Sequence, residues 1–505
     1  GKFIQPLGEL SFDDAVAVFS EQIKALADAG VDFILIETII DIQEMRAALL
    51  AAKNVCNKPV ICQLSFSSDG RTVTGTDPQT AAITLAAMGA DVIGANCSLG
   101  PAQLLPLIEE LAQNCSCPIS VQPNAGMPKL VDGETIFPMT PEEMASYVPA
   151  LVQAGATYIG GCCGTTPAHI AAVSTVAKTL APVVRQQKKQ VLALTSRSKT
   201  VFIGKDEPTV IIGERINPTG RKKLAADIKE GNFMSVKKEA LEQVQAGAHI
   251  LDVNMGVGGI DQAAAMNKAI TEISQLVAVP LAIDTSDTKA LEAGLKAYPG
   301  RALINSVSAE PERLAEFLPL AKKYGAAILC LPIASDVPRT APERVAIIKT
   351  IVNAAKKIGL TDTDFLLDAL VMTVAADEIA ATETMQTLKA YREEFGYPST
   401  MGLSNISYGL PNRPLMNSIF FAMNLACGLD APIINPYDKT MQDVLLTSSA
   451  LLGYDKNAKE YSLTEANVET VVATPTSPDT DILTAIKNAV KNGEKELVAD
   501  LVTTA

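Results

Sequence analysis

The chain has no tryptophan and only two histidines, His169 and His249, which stand far apart in the sequence. Any metal site must therefore depend on sulfur or carboxylate ligands. The nine cysteines are too sparse among 505 residues, and too irregularly spaced, for a disulfide scaffold. We expect them to be reduced thiols, either buried in a core or bound to a metal.

Long apolar runs are also missing. No stretch approaches the ~20 residues of a membrane helix, and no charged-then-apolar signal segment opens the chain. The net charge of -14 argues against nucleic acid or an anionic membrane as the main partner, because both require clustered Lys and Arg. With 48% hydrophobic and 19% charged residues, the composition is typical of a soluble α/β protein, which we expect in the cytoplasm.

Strand-like and helix-like segments alternate from the beginning of the chain, a pattern that predicts parallel sheets with helical crossovers. Residues 1–184 contain five strand-like runs, which read "FILIET", "VICQLSF", "DVIGANC", "ISVQPNAG" and "TYIGGCCG". Five strands are too few to close a barrel. We interpret them as the last five units of a (β/α)8 barrel that is incomplete at its N-terminus; an open five-stranded sheet is the alternative.

Residues 208–460 contain eight such runs and predict a closed (β/α)8, or TIM, barrel. Polar stretches at 185–207 and 461–480 are predicted to be linkers. Residues 481–505 predict a short tail of two helices, too small to form a core alone.

Three cysteines follow predicted strands of the first segment. Cys162 and Cys163 stand in the glycine-rich "GGCCG", where the backbone is free to turn both thiols towards one point, and Cys97 ends a strand two units earlier. Parallel strands end at the same edge of a sheet, so we expect the three thiols to meet there. Three sulfurs without histidine favour Zn²⁺ with one open position, which is suited to a thiol substrate. The alternative is that they are buried core thiols.

Longer motifs resemble a known family. The motifs "PLGELSF", "GANCSLGP", "QPNAG" and "GGCCGTTPAHI" are similar to the homocysteine-binding module of the cobalamin-dependent methionine synthase family. The motifs "GERINPTGRKK", "LDVN" and "GLSNISYGLPNR" are similar to its methyltetrahydrofolate-binding module. The resemblance extends over nearly the entire chain.

For the first segment, the resemblance implies that Cys97, Cys162 and Cys163 bind zinc, which coordinates the homocysteine sulfur. It also implies that Glu37 and Asn124 help to hold the amino acid. The tail resembles the start of a helical cap, so the cobalamin cofactor is expected on a cobalamin-binding domain or corrinoid protein outside this chain.

For the second barrel, the resemblance implies a pterin site that binds 5-methyltetrahydrofolate. A carboxylate that accepts two N–H bonds suits the pterin edge, and amides suit its mixed donors and acceptors. Asn405 is expected to accept a hydrogen bond from protonated N5, and Asn405 and Asp368 are the catalytic candidates. The implied substrate-binding residues of this barrel are Glu214, Asp252, Asn254, Asp284, Asn305, Asp368 and Asn405.

The sequence therefore predicts methyl transfer from 5-methyltetrahydrofolate, through cobalamin, to zinc-activated homocysteine, which forms methionine and tetrahydrofolate. Two alternatives remain open. One is a folate:corrinoid methyltransferase or a pterin enzyme similar to dihydropteroate synthase, and the other is a non-catalytic zinc-binding or thiol-binding protein.

Overall fold

The computed structural model describes residues 3–185 and 191–464, together with residues 486, 487, 490, 498, 501 and 502. Those six positions are helical, in agreement with the predicted helical tail. The remainder of the predicted second linker and of the tail lies outside the described residues. Among the helices in the described ranges, none is both long enough and apolar enough for a membrane crossing.

The first segment is built on an open sheet of five parallel strands, in agreement with the five predicted strands. Their order in the sheet follows their order in the chain. In a doubly wound sheet, the order of the strands reverses part-way across the sheet, whereas the strands of a barrel keep their order in the chain. The observed order is therefore the one that barrel strands have. That the sheet is part of a barrel stays a prediction. The strands are β1 (Ile34–Ile39), β2 (Val60–Leu64), β3 (Val92–Asn96), β4 (Ile119–Gln122) and β7 (Ala156–Ile159), and a separate hairpin is formed by β5 (Lys129–Val131) and β6 (Glu134–Ile136).

Helices connect these strands, and their starts follow from local chemistry. The side chains of Ser11, Asp41 and Asp77 accept hydrogen bonds from the first turns of their helices, and proline opens several others. The helices are α1 (Phe12–Asp28), α2 (Ile42–Val55), α3 (Pro78–Ala87), α4 (Pro101–Asn114), α5 (Pro141–Ser146), α6 (Val148–Gln153) and α7 (Pro167–Ala177).

An antiparallel hairpin, β8 (Leu192–Thr195) and β9 (Thr200–Ile203), lies within the range predicted as the first linker. Its apolar residues Leu192, Leu194 and Ile203 are buried against the interior of the following barrel. On its other side, the Thr195 hydroxyl is 2.7 Å from the hydroxyl of Thr84 in α3. The hairpin therefore joins the two large segments instead of spacing them apart.

The second segment is a closed barrel of eight parallel strands, as predicted. The strands are β10 (Ile212–Ile216), β11 (Ile250–Asn254), β12 (Leu281–Asp284), β13 (Leu303–Val307), β14 (Ala327–Cys330), β15 (Phe365–Asp368), β16 (Ser399–Gly402) and β17 (Ala431–Ile434). The helices are α8 (Lys222–Lys229), α9 (Met234–Gln245), α10 (Gln262–Leu276), α11 (Thr288–Ala297), α12 (Pro311–Tyr324), α13 (Ala341–Lys357), α14 (Ala380–Glu394), α15 (Arg413–Ala426) and α16 (Lys439–Leu451), with short 3₁₀ turns at Asp362–Asp364, Leu403–Ser407 and Lys456–Ala458.

The lower half of the barrel interior is apolar. Ile250, Ala282, Leu303 and Leu366 form one buried cluster with the hairpin. Side chains of a strand alternate between its two faces, so the residue two positions further along points the same way. Those residues are Asp252, Asp284, Asn305 and Asp368. The strands therefore place a polar layer directly above the apolar one.

Helix α2 of the first segment is buried along most of its length and contacts the C-terminal end of α11. The Arg46 guanidinium donates to the carbonyl oxygen of Tyr298 and, at 2.9 Å, to that of Leu295. The Gln43 amide donates to the carbonyl of Lys296 at 2.7 Å. A helix end leaves its last carbonyls without partners, so α2 supplies the donors that α11 lacks.

We predict that Arg46→Leu lowers the free energy of unfolding by about 3 kcal/mol, because two buried helix-end carbonyls lose a charged donor. Urea unfolding of the whole chain measures this loss. The matched control is Lys24→Leu, on the exposed face of α1, for which a change below about 0.5 kcal/mol is expected. Equal losses in both variants would contradict the role of Arg46.

Candidate functional site

The three predicted cysteines lie together at the C-terminal edge of the first sheet. The sulfur atoms of Cys97 and Cys163 are 3.7 Å apart, and those of Cys162 and Cys163 are 4.0 Å apart. All three sulfurs lie within 4.8 Å of one another. Sulfur ligands about 2.3 Å from a tetrahedral Zn²⁺ would be separated by about 3.8 Å. The donor set and its spacing therefore fit zinc.

Two backbone features bring these thiols together. Cys97 and Ser98 both have left-handed backbone angles, with φ of 61° and 58°, which turn the chain sharply after β3. The other two thiols are fixed by the segment after β4, since the N–H of Cys162 donates to the carbonyl of Pro123 and the N–H of Cys163 to the side chain of Asn124. Gly164 completes the turn at φ 80°, where a side chain would collide with Phe137.

Two of the thiols, those of Cys162 and Cys163, differ from a free cysteine in their pKa. Burial, together with the neighbouring Cys97, raises the pKa of Cys162 to about 12, and burial also raises the pKa of Cys163. Neighbouring thiols oppose one another's ionisation because each thiolate would repel the next. A divalent cation reverses that balance, since a coordinated thiol is deprotonated.

Of the two other residues predicted at this site, Asn124 contacts the cysteine loop directly. Its side-chain oxygen accepts the N–H of Cys163 at 3.2 Å, and it is almost fully buried. Glu37 lies in β1 with its side chain exposed, and it has no hydrogen-bond partner within the described residues. The carboxylate of Glu37 is therefore free to meet a ligand.

The second group of predicted residues lies at the mouth of the barrel, the end at which its strands finish. Asn254, Asp284 and Asn305 pair with one another across β11, β12 and β13 in one row. The Asn254 amide donates to Asp284 at 2.9 Å, and the Asn305 amide donates to Asp252 at 3.0 Å. These four residues form one polar network.

Burial makes the acids of this mouth hold protons more tightly than usual. It raises the pKa of Asp252 well above its ordinary value, and the nearby Asp284 adds to the effect. Burial likewise raises the pKa of Asp284 and of Glu214. A polar ligand with N–H donors would replace the missing water and stabilise the charged forms.

Asp368 and Asn405 occupy neighbouring positions around the rim. Asp368 ends β15, is almost fully buried and accepts the N–H of Leu370 at 2.7 Å, while burial raises its pKa to about 6. Asn405 lies in the turn after β16 and is exposed, and within the described residues its side chain has no hydrogen-bond partner. The rim thus combines a buried acid with an amide that can accept or donate.

Comparison with known proteins agrees with this two-site arrangement. Residues 1–177 match the family described as homocysteine S-methyltransferase, and residues 213–435 match the family described as pterin binding enzyme. The chain is 29% identical over 486 residues to the methionine synthase of Mycobacterium tuberculosis and 30% identical over 459 residues to that of Mycobacterium leprae. Those alignments cover 91% and 86% of this chain.

Both segments of the chain are similar to methionine synthases. The match includes both segments in a single alignment with each relative, although it covers only 41% and 38% of the relatives' own lengths. The chain therefore spans about two fifths of the length of the methionine synthases to which it is similar.

In this chain, the predicted residues form two groups. The sulfur atoms of Cys97, Cys162 and Cys163 lie together, with the side chain of Asn124 bonded to the backbone of Cys163, and the acids and amides of the barrel mouth share its rim. Sequence reasoning missed Asn96, whose side-chain amide contacts both the Cys162 sulfur and Thr38 of β1. Its position as the last strand residue before Cys97 was the available signal, but a buried strand-end amide alone indicates no particular contact.

The raised pKa of Asp368 predicts a pH-dependent stability. The folded chain holds this proton up to a pH of about 6, whereas the unfolded chain releases it near pH 4. The contribution of this proton to the free energy of unfolding is therefore fully present below pH ~4 and lost as the pH rises through ~6. Relative to Asp368→Asn, the wild-type free energy of unfolding should fall by about 3 kcal/mol between pH 4 and 7.

Urea unfolding at several pH values measures the difference. Asp362→Asn is the control, since Lys356 and Tyr397 lower the pKa of Asp362 and its removal should change the profile in the opposite direction. Parallel pH profiles for the wild type and Asp368→Asn would contradict the prediction.

Proposed function

We propose that this chain provides two sites for a methyl transfer from 5-methyltetrahydrofolate to homocysteine, which forms methionine and tetrahydrofolate. The observation that carries the proposal is the spacing of the three sulfur atoms at the end of the first sheet, 3.7 and 4.0 Å for two of the pairs. The acid and amide network at the mouth of the second barrel supports it, as does the similarity to methionine synthases.

At the first site, Cys97, Cys162 and Cys163 would hold Zn²⁺. When bound, zinc keeps a coordinated substrate thiol deprotonated near neutral pH and so makes it nucleophilic. Asn124 fixes the loop of Cys163 through the backbone N–H. The free carboxylate of Glu37 would accept hydrogen bonds from the α-ammonium group of homocysteine, which orients the amino acid with its sulfur towards the cysteines.

At the second site, the carboxylates of the barrel mouth would accept the N–H groups along the pterin edge. Asp284, Asn305 and Asp368 are the proposed direct contacts, with Glu214, Asp252 and Asn254 lining the same surface. Burial raises the pKa values of Asp284 and Asp368 because it removes water from their carboxylates. A ligand that offers N–H donors would supply hydrogen bonds in place of that water. A flat aromatic molecule without donors would cover these carboxylates and give them no further hydrogen bond.

Asn405 has a separate proposed role. Methyl departure from N5 is difficult unless this nitrogen is protonated, because an amine anion is a poor leaving group. The exposed amide oxygen of Asn405 would accept the N5–H hydrogen bond and stabilise the protonated donor, without being the acid itself. Asp368, on the neighbouring strand, would hold the ring in place.

The methyl carrier between the two sites is proposed to be cobalamin, held by a cobalamin-binding domain or corrinoid protein outside this chain. Cobalamin would supply a strongly nucleophilic metal centre that accepts and returns the methyl group. All nine cysteines are free thiols, which suits a reducing compartment such as the cytoplasm.

The zinc site is tested by metal content. We expect the chain to bind about one Zn²⁺, and Cys97→Ser, Cys162→Ser and Cys163→Ser each to weaken binding at least 100-fold, because a hydroxyl is a poor ligand beside two thiolates. Chelator competition followed by elemental analysis measures this. Cys427→Ser, in a cysteine distant in sequence from the cluster, should bind zinc as the wild type does. A wild-type chain that takes up no zinc would overturn the first half of the proposal.

The pterin site is tested by methyl transfer from 5-methyltetrahydrofolate to free cob(I)alamin. We expect Asn405→Ala to lower the rate of transfer about 100-fold while the affinity for the folate changes little, because the amide acts mainly on the protonated donor. Asn353→Ala, on the exposed face of α13, should transfer methyl groups at the wild-type rate. No transfer by the wild type, together with dihydropteroate formation from a pterin pyrophosphate and aminobenzoate, would replace the proposal with the pterin-synthase alternative.

A further inference from the structure

Asn96, the last residue of β3, lies between the first strand and the metal-binding cysteines. Its side chain is fully buried. The amide oxygen accepts the backbone N–H of Thr38 at 2.8 Å, and the amide nitrogen donates to the Thr38 hydroxyl at 2.7 Å. The same nitrogen lies 3.8 Å from the sulfur of Cys162, within reach of an N–H···S hydrogen bond.

The orientation of this amide follows from its partners. A backbone N–H can only donate, so the oxygen of Asn96 must face Thr38. In the opposite orientation, the amide nitrogen would face another donor and the oxygen would face the sulfur. The network therefore directs an N–H group, and not an oxygen, at Cys162.

The net charge of the metal site explains what the N–H group of Asn96 would stabilise. Three thiolates and one divalent cation carry a net charge of -1, in a site where Cys162 is partly buried. A neutral N–H donor stabilises the excess charge on sulfur without adding a second ion that would itself need solvation. Lysine or arginine in place of Asn96 would have to be desolvated fully at this position.

The contact with Thr38 connects the cysteines to the substrate side of the site. Thr38 has a left-handed backbone, with φ of 61°, which is unfavourable for a β-branched residue. The two hydrogen bonds between the Asn96 side chain and Thr38 hold this conformation. Because Thr38 follows Glu37 directly, the same side chain fixes both the strand end that carries Glu37 and the sulfur of Cys162.

We propose that Asn96 is a positioning residue of the three-cysteine metal site, where its amide N–H stabilises the Cys162 thiolate and its amide oxygen fixes the strand end at Thr38. The inference rests on the proposed function in one respect: it requires that a divalent metal binds the three cysteines. No contact between Asn96 and the substrate is needed.

The test measures metal binding by the whole chain. Asn96→Asp keeps the size of the side chain but replaces the N–H donor with a carboxylate oxygen, so we expect the affinity for Zn²⁺ to fall about 10- to 100-fold in chelator competition. Ser65→Ala is the matched control, because the Ser65 hydroxyl donates to the backbone carbonyl of Asn96, at 2.8 Å, and its removal leaves the side-chain amide intact. Unchanged affinity in Asn96→Asp would overturn the inference.

A second readout separates the bond to sulfur from a general structural role. In the Co²⁺-loaded chain, loss of an N–H···S bond raises the energy of the sulfur electrons, so the thiolate-to-cobalt absorption band should move to longer wavelength in Asn96→Ala. A band at the wild-type position would mean that Asn96 only supports the fold, and would overturn the proposal.

A third measurement needs no variant and covers the case in which the substituted chains do not fold. In the wild-type chain loaded with ¹¹³Cd, an asparagine side-chain N–H should show scalar coupling to the metal through sulfur, and the absence of coupling would overturn the inference. If the wild-type chain binds neither zinc, cobalt nor cadmium, the proposed function itself fails. Metal binding that is insensitive to Asn96 refutes this inference alone.

Discussion

The pleat of the parallel strands is the constraint on which the site at the barrel mouth depends. Every strand of the second barrel presents alternate side chains to the interior, so the residue two positions after a buried apolar one must face the same enclosed space. Ala282 and Leu303 fill the lower interior, and Asp284 and Asn305 stand above them. A change of register by one residue would turn these polar side chains towards the helices. The register of the strands therefore fixes both the apolar packing of the lower interior and the polar side chains at the mouth.

The same rule explains how far the sequence could be interpreted. Eight strand-like runs, seven of which have Asp, Glu or Asn at or near their end, are enough to predict the closed barrel and its polar mouth, because both depend on local alternation. The meeting of Cys97, Cys162 and Cys163 could also be predicted, since parallel strands end at one edge. Glu37 and Asn124 were placed by resemblance, and their roles in binding stay proposals.

Other features could not be predicted because they depend on residues far apart in the chain. The hairpin at 192–203 was interpreted as linker, since two runs of four residues gain stability only when their apolar side chains meet the barrel interior. Arg46 would usually be an exposed helix residue, and only the carbonyls of α11, some 250 positions later, explain its burial. The left-handed backbone at Thr38 and Cys97 could not be predicted either, because neither residue is a glycine.

The hairpin beneath the barrel also determines the route that a ligand can take. Its side chains pack against the apolar layer from below, so this end of the barrel is closed and the mouth is its open end. A ligand bound at the mouth would have to leave by the same opening that admits the next one. In the proposed methyl transfer, a protein that docked over this opening would have to withdraw before the bound ligand could be exchanged, so its departure would be an obligatory step of each cycle.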